Sequence, residues 1–309
     1  MPAIPKPSQL PFSTVTTGVL LAILATIIWS GNFIVARYVA NDIPPISLAF
    51  FRWLTGTLLL TPLAWNRVQQ QKELIRMNIK HLAWTGLAGV TLFNTFIYMA
   101  GKTSPAVNMA LIGTTSSPIM SNILAVIFLK EVLSWQRISG MVLCIVGILW
   151  LIAKGSWNNL MQFHFTEGDL LILAGAFAFA VYNILVRKKS QSLHPLSFLW
   201  SVFAIGTLFL LPGWLIEQQL TPAIDWSWDK LAMIFYLGAG TSVAAFLCWN
   251  ASIARLGPAR TALFGNLIPI FSTLEAIWLL NESFQFIHFI SFGLVLTGLV
   301  IANLKSTQK

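Results

Sequence analysis

The chain has 309 residues, of which 56% are hydrophobic and only 9% are charged, and its formal net charge is +9. Soluble domains contain roughly 25% charged residues. Together with a mean hydropathy of +0.75, this composition excludes an ordinary soluble enzyme and predicts an integral membrane protein.

Apolar windows long enough to cross a bilayer follow one another along the whole chain. A span requires about 20 predominantly apolar residues. The first sixteen residues contain four prolines and no apolar core, which argues against a cleavable signal peptide. The predicted fold class is all-α integral membrane with ten transmembrane helices, at 17–39, 46–65, 82–101, 106–129, 135–153, 169–187, 194–216, 229–250, 258–281 and 286–304.

The last third of the chain repeats the middle third at a spacing of 151 residues. Pro118 matches Pro269, and Tyr98 matches Trp249. Because the repeating unit holds five spans, an odd number, we expect two inverted five-helix repeats, an architecture that recurs in secondary transporters. The expected organisation is a cytoplasmic tail (1–16), a first repeat (17–153), a periplasmic linker (154–168), a second repeat (169–304) and a cytoplasmic C-terminal tail (305–309).

The basic residues indicate an orientation, because short cytoplasmic loops are enriched in Lys and Arg. With the N-terminus inside, fourteen of the 19 basic residues fall on inner segments, four fall on outer segments, and Arg52 lies within a span. Both termini are therefore expected in the cytoplasm. The net charge of +9 is then a topology signal, and no nucleic-acid partner is expected.

Several short motifs occur in a specific order. They are Trp29-Ser30-Gly31-Asn32-Phe33, Ile43-Pro44-Pro45, Phe51-Arg52-Trp53, the Leu-Gly-Pro-Ala of 256–259 and the paired Pro, Glu and Gly of the repeats. Over residues 18 to 304 the chain resembles the EamA-type transporters of the drug/metabolite transporter superfamily. The resemblance implies a ten-helix carrier of the bacterial inner membrane with two five-helix repeats. Such carriers commonly export amino acids or related metabolites and sometimes toxic compounds.

Two charged residues, Arg52 and Glu275, lie inside predicted spans. A charge at bilayer depth costs about 2.5–3.5 kcal/mol on insertion scales, so each needs a partner or a watery cavity. One interpretation is structural: the two pair with each other, or Arg52 snorkels to the interface. The other is functional: Arg52 binds a substrate carboxylate in bidentate fashion, and Glu275 binds an ammonium group or a coupled proton. The arginine fits the family pattern, whereas an acid at position 275 departs from it.

The mates Pro118 and Pro269 both lie well inside their predicted spans. Each lacks an N–H and crowds the carbonyl four residues back, at Thr114 and Gly265, so these carbonyls are expected to be partly free. Such breaks can line the cavity of a transporter and take part in gating. A simple packing kink is the alternative for either proline.

A second group of candidate substrate contacts shares an intramembrane position and a polar or aromatic side chain. Each could face the cavity, and each could instead join two helices with a hydrogen bond worth about 0.6 kcal/mol. These candidates are Trp29, Asn32, Tyr98, Asn108, Tyr182, Asn183, Trp249 and Asn266.

Signatures of catalysis are missing from the sequence. It contains no His-Glu-x-x-His motif, no Gly-x-Ser-x-Gly elbow and no phosphate-binding loop. We therefore expect no enzyme activity, no catalytic residues, no metal and no cofactor. The expected partners are the lipid bilayer and a small-molecule substrate, and a coupled proton is a further option. The sequence allows either a monomer or a homodimer. A carrier is favoured over a passive channel or facilitator, an exporter of toxic amphiphiles and a membrane scaffold.

Overall fold

The computed structural model describes residues 12–39, 42–104, 106–153, 155–161, 164, 166–189, 192–280 and 286–303. In this part of the chain the regular elements are all helical, and no strand occurs. They are α1 (Phe12–Val39), α2 (Pro45–Gln70), α3 (Lys72–Met77), α4 (Ile79–Ala100), α5 (Ala106–Leu129), α6 (Trp135–Ile152), α7 (Trp157–Met161), α8 (Glu167–Lys188), α9 (Pro195–Leu220), α10 (Trp228–Leu256), α11 (258–280) and α12 (Phe286–Asn303).

The long helices expose apolar side chains and bury many of their polar ones. Leu20, Leu58, Leu208 and Phe289 are between 61% and 67% exposed, whereas Asn183 is fully buried. An exposed apolar surface of this extent fits lipid and not water. Seven described helical segments are long and apolar enough to cross a membrane, namely Thr14–Asn32, Pro45–Gln70, Ile79–Ala100, Glu167–Lys188, Pro195–Leu220, Trp228–Leu256 and Phe286–Asn303. Shorter apolar helical segments occur at Ser116–Leu129 and Trp135–Leu151. The protein is a multi-pass, all-helical membrane protein.

Helices at equal positions in the two halves pack against each other in opposite directions. At one end of the α2/α9 pair, Glu217 near the end of α9 accepts a hydrogen bond of 2.6 Å from the backbone N–H of Ser47 near the start of α2. At the other end, Trp200 near the start of α9 donates to the hydroxyl of Thr61 in α2 at 2.9 Å. The two helices are therefore antiparallel.

Two contacts join residues to their own repeat mates. The hydroxyl oxygens of Thr57 and Thr207, which are 150 positions apart, lie 3.4 Å from each other. In the α6/α12 pair, the Cys144 thiol donates to the carbonyl of Val295, 151 positions away, at 3.4 Å. A Cβ added to Gly298 would come within 2.7 Å of the Cys144 sulfur, so glycine permits this close packing. A residue meets its own mate only near the axis that relates the halves, which places this axis in both helix pairs.

The helices α4 and α10 each contain a π-helical turn at the same place in the two halves, at Leu87–Leu92 and Leu237–Ala244. Their first residues are 150 positions apart. In a π-helix the backbone N–H bonds to the carbonyl five residues back, and such turns are frequent at functional sites. Hydropathy does not register a π-turn, so the sequence predicts only a span in each of the two windows, 82–101 and 229–250.

The region before Pro269 differs from the expectation of a partly free carbonyl. Helix α11 is interrupted by a 3₁₀ turn at Phe264–Leu267, and there the carbonyl of Gly265 accepts the backbone N–H of Ile268. The tighter turn supplies a donor that an α-helix loses at proline. The mate Pro118 lies within the continuous helix α5.

Candidate functional site

A cavity of about 100 Å³ lies among helices from both halves. Its wall is mainly apolar, with one charged side chain from α2 and a few polar ones, a composition typical of small-molecule sites. The lining residues are Trp29 and Asn32 of α1, Arg52 of α2, Phe93, Asn94 and Ile97 of α4, Gly113, Ser117 and Pro118 of α5, Ala176 and Phe179 of α8, Trp249 of α10, and Ala262, Gly265 and Ile268 of α11.

Arg52 is only 2% exposed and is held by three helices. Its Nε donates to the hydroxyl of Ser242 at 2.9 Å. Its Nη1 donates to Oδ1 of Asn32 at 3.0 Å and to the hydroxyl of Tyr98 at 2.8 Å. Its Nη2 reaches the carbonyl of Thr241 at 3.4 Å. Four of the five guanidinium N–H groups therefore have acceptors among the described residues, and the side chain is fixed in one orientation.

The π-turn of α10 supplies two of these acceptors. Thr241 and Ser242 lie within it, and the Thr241 carbonyl also accepts the indole N–H of Trp29 at 2.8 Å. The turn thus links α1 and α2 through one backbone carbonyl. The close approach of α2 to α10 is made at glycine, because a Cβ added to Gly56 would lie 3.1 Å from the Ser242 side chain.

The guanidinium of Arg52 has no carboxylate within 4.0 Å among the described residues, where the ion pairs are Arg137 with Glu131 and Lys230 with Asp42. Arg52 and Glu275 do not form a direct ion pair in this conformation. Burying an uncompensated charge is costly. The cavity wall therefore carries a positive charge that neutral hydrogen-bond acceptors solvate but do not neutralise.

Glu275 lies in α11 and does not line the cavity wall. Its Oε1 is 2.6 Å from the hydroxyl oxygen of Ser30, and its Oε2 is buried with no hydrogen-bond partner in the described part of the chain. The hydroxyl of Tyr236 in α10 donates to the Ile28 carbonyl at 2.9 Å. Glu275 and Tyr236 therefore both contact α1, at Ser30 and Ile28 respectively.

Aromatic side chains form a large part of the cavity wall. The ring of Trp29 lies 5.7 Å from Phe179, 5.4 Å from Phe246 and 4.9 Å from Trp249, measured between centroids. Phe93 contacts Phe179 at 4.7 Å. Edge-on and tilted aromatic pairs of this kind add packing energy beyond the area that they bury. The wall is thus apolar, densely packed and contributed by both halves.

The candidates Tyr182 and Asn183 are buried away from the cavity wall. The amide of Asn183 accepts from the indole N–H of Trp249 at 2.9 Å and donates to Ser121 at 3.3 Å. The hydroxyl of Tyr182 donates to Asn250 at 2.7 Å. Trp249 presents its ring to the cavity while its N–H joins this network. The network links α5, α8 and α10 beside the site.

The remaining candidates fall in different places. Pro118 lines the cavity and Pro269 does not. Asn266 is fully buried and does not line the cavity, and neither polar atom of its side chain has a hydrogen-bond partner among the described residues. The side chain of Asn108 lies outside the described residues.

Sequence reasoning missed the contacts that depend on helix faces. Ile97 and Ala176 look like any other apolar residue of a span, and only the fold shows that they line the cavity. The polar pair of Thr241 and Ser242, inside an otherwise apolar window, was the available signal for the acceptors of Arg52. Arg52 also has no charged mate in the second half, where Val202 occupies the position 150 residues on, in the same register as Thr57 and Thr207.

Known proteins similar to this chain are transporters. An uncharacterized transporter of Archaeoglobus fulgidus is 27% identical, covering 94% of this chain and 98% of the relative. A probable amino-acid metabolite efflux pump of Escherichia coli is 24% identical, covering 91% and 93%. An S-adenosylmethionine uptake transporter of Rickettsia felis is 25% identical, covering 87% and 86%.

A crystal structure that is 17% identical in sequence superposes with a TM-score of 0.75, covering 93% of this chain and 96% of the other, and so shares the fold. The profile of the EamA-like transporter family matches twice, over residues 16–153 and 166–304. The two matches cover nearly the whole chain, one in each half. The resemblance first read from the short motifs is thereby confirmed, and the chain belongs to the EamA-like transporter family.

Proposed function

We propose that this transporter is a secondary carrier that exports small metabolites, amino acids in particular, across the bacterial cytoplasmic membrane by alternating access. The observation that carries the proposal is the buried guanidinium of Arg52, which faces the cavity without a carboxylate within 4.0 Å among the described residues. A substrate carboxylate would supply the missing counter-charge.

The substrate would bind by replacing contacts that Arg52 makes in the empty site. One N–H of Nη2 has no acceptor in the described structure, and both N–H groups of Nη1 are bonded to Asn32 and Tyr98. Bidentate binding of a carboxylate therefore requires rearrangement at Nη1 or approach along Nη2. The displaced Asn32 and Tyr98 would remain within reach of the substrate.

The chain architecture supports alternating access. The antiparallel packing of α2 with α9, the contact of Thr57 with Thr207 and the paired π-turns agree with two inverted repeats around a shared axis. We propose ten spans in two five-helix repeats, with both termini in the cytoplasm. Inverted repeats around one site provide two mirrored gates. Two fusions to the C-terminus test the orientation. If the C-terminus is cytoplasmic, a fused fluorescent protein should fluoresce, whereas a fused phosphatase that requires the periplasm should be inactive.

The relatives support the substrate class and leave the direction of flux to experiment. One is described as an efflux pump for amino-acid metabolites and another as an uptake transporter for S-adenosylmethionine. Both descriptions name molecules that carry an amino-acid group. The common chemistry is a carboxylate next to an ammonium, which a site containing Arg52 can recognise.

A second candidate function, export of toxic amphiphilic compounds, is favoured by the aromatic wall of Trp29, Phe93, Phe179 and Trp249. Such a wall can bind an apolar or planar group without charge recognition. The two candidates differ in their dependence on Arg52, because an uncharged amphiphile does not need the guanidinium.

Counterflow in proteoliposomes tests the proposal. Vesicles are preloaded with a mixture of unlabelled amino acids and challenged with each labelled amino acid in turn. A carrier for amino acids should accumulate one class transiently, while a passive channel should equilibrate without overshoot. The Arg52→Ala variant is the matched control for the site. Absence of overshoot for every amino acid, with a folded wild-type protein, would contradict the proposed substrate class.

A further inference from the structure

The cavity wall contains a buried hydrogen-bond donor, the side-chain amide of Asn94, that the protein itself does not use. Asn94 lies in α4, lines the cavity and is only 3% exposed. Its Nδ2 atom is buried and has no hydrogen-bond partner among the described residues. Because a buried donor without an acceptor is costly, this position favours a ligand that supplies an acceptor.

Other N–H donors of the wall are already bonded within the protein. The indole N–H of Trp29 donates to a backbone carbonyl of α10 at 2.8 Å, and the indole N–H of Trp249 donates to Oδ1 of Asn183 at 2.9 Å. These donors hold helices together. The amide of Asn94 is different, because its donor remains available to a molecule in the cavity.

Helix α4 places Asn94 on the same side as a residue that contacts Arg52. Asn94 lies four residues before Tyr98, and residues four apart share one face of a helix. The hydroxyl of Tyr98 accepts from Nη1 of Arg52 at 2.8 Å. Since Arg52 and Asn94 line the same cavity of about 100 Å³, one small molecule can contact both side chains.

The unpaired group is a donor, and this fact determines which chemical group it can bind. A carboxylate has only acceptors, whereas an ammonium has only donors. The guanidinium of Arg52 likewise presents only donors, together with a positive charge. Arg52 and Asn94 therefore both match a carboxylate, and neither free donor matches an ammonium.

We propose that Nδ2 of Asn94 donates to the substrate carboxylate that Arg52 binds, and that Asn94 thereby selects substrates that carry a carboxylate. This inference rests on the proposed function. The second half has no equivalent amide, because Ala245 occupies the matching position at the 151-residue spacing that relates Tyr98 to Trp249. The carboxylate would thus be bound by two side chains of the first half.

The first test is the KM for a transported amino acid in counterflow. Asn94→Ala removes the amide without adding bulk. We expect the KM to rise about 10- to 100-fold with little change in the maximal rate, which is the loss expected for one hydrogen bond to a charged group. Thr95→Ala is the matched control, because Oγ1 of Thr95 is also buried without a partner in the described structure but Thr95 does not line the cavity.

The outcomes of this test separate the inference from the proposed function. An unchanged KM in Asn94→Ala, or an equal rise in Thr95→Ala, would overturn the role of Asn94. Absence of counterflow for every amino acid in the wild type would instead overturn the proposed function.

The second test uses the sign of an effect. Asn94→Asp keeps the shape of the side chain but replaces the donor with a negatively charged acceptor beside Arg52. If Asn94 donates to the substrate carboxylate, the KM of Asn94→Asp should exceed that of Asn94→Ala, because the new charge repels the carboxylate and competes for Arg52. A KM equal to or below the wild-type value would show that the side chain at position 94 binds the ammonium, which would overturn the inference.

Thermal unfolding in detergent provides a readout that does not depend on transport. A saturating amino acid should raise the unfolding temperature of the wild type and of Thr95→Ala, and at the same concentration it should raise that of Asn94→Ala less. An equal rise in all three proteins would overturn the inference. Without substrate, Asn94→Ala should unfold no earlier than wild type, because it loses an unpaired donor and gains a better helix former. Earlier unfolding with an equal substrate response would assign Asn94 a structural role instead.

Discussion

At the scale of single residues, the site rests on a cation that the protein solvates without neutralising. Arg52 is bonded to Asn32, Tyr98, Ser242 and the Thr241 carbonyl, and all four acceptors are uncharged. Such an arrangement fixes the guanidinium while leaving its charge for a ligand. It also explains why a flexible ammonium would be a poor substitute, because a lysine cannot reproduce the planar fork.

We expect Arg52→Lys to reduce counterflow by roughly 10- to 100-fold. The substitution keeps the charge but loses charge-assisted hydrogen bonds that are worth about 1.5–3 kcal/mol each. Arg67→Lys is the matched control, since Arg67 lies on the same helix with its side chain exposed and should transport like wild type. Full activity of Arg52→Lys would show that the fork geometry is unnecessary.

The packing of Gly31 makes a second residue-level prediction. A side chain at this position would collide with the Tyr236 hydroxyl, which donates to the Ile28 carbonyl one turn earlier on α1. Gly31→Ala should therefore lower the free energy of unfolding by about 1–3 kcal/mol, as overpacking generally does. The measurement is thermal unfolding in detergent. Gly293→Ala, which lies inside α12 and meets no atom within 4 Å, is the control and should raise the unfolding temperature slightly through its higher helix propensity.

At the scale of helices, side chains at the end of each helix of the α2/α9 pair accept hydrogen bonds from backbone N–H groups at the start of the other helix. Glu217 of α9 accepts from the backbone N–H groups of Ile46 and Ser47 at the start of α2. At the opposite end, Gln71 after α2 accepts from the backbone N–H of His194 before α9 at 2.9 Å. These contacts satisfy N–H groups that a helix start leaves without intrahelical partners.

We expect Glu217→Ala to destabilise the protein by about 1–3 kcal/mol, because it leaves buried backbone donors without an acceptor and removes a negative charge from a helix N-terminus. Thermal unfolding in detergent measures the change. Glu73→Ala, an exposed acid on α3, provides the control and should have no effect. An equal loss in both variants would attribute the effect to net charge alone.

Individual helices show where reading the sequence succeeds and where it stops. Apolar length predicts spans at 46–65 and 194–216, and the structure has α2 at Pro45–Gln70 and α9 at Pro195–Leu220. Each start agrees within one residue, and each helix extends four or five residues beyond the predicted end. The cost of burying charge singled out Arg52. The π-turns and the 3₁₀ turn of α11 escaped detection, because they change the hydrogen-bond spacing and leave hydropathy unaltered. Which side of a helix faces the cavity also depends on its neighbours, so Tyr182 and Asn183 could not be separated from true lining residues such as Asn32.

At the scale of the whole molecule, the contacts between mates predict a specific cross-link. With Cys144 and Cys248 replaced by alanine, a protein carrying Thr57→Cys and Thr207→Cys should form a disulfide, because the two hydroxyl oxygens are 3.4 Å apart. Non-reducing electrophoresis after protease cleavage between the halves would detect it. Thr57→Cys with Ser201→Cys is the control, since Ser201 lies six residues away on α9, about 9 Å along the helix axis. Linking of the control pair alone would refute the antiparallel register.

The replacement of a charged residue by Val202 in the second half would have an energetic consequence for the proposed transport cycle. Two identical inverted halves would make the inward-facing and outward-facing conformations equal in free energy. With Arg52 on one side and valine at the matching position, an empty alternating-access carrier would solvate its buried cation differently in the two states. A difference of 1.4 kcal/mol would favour one resting orientation roughly tenfold. The carrier would then wait with its site open to one side of the membrane, even before any gradient acts on it.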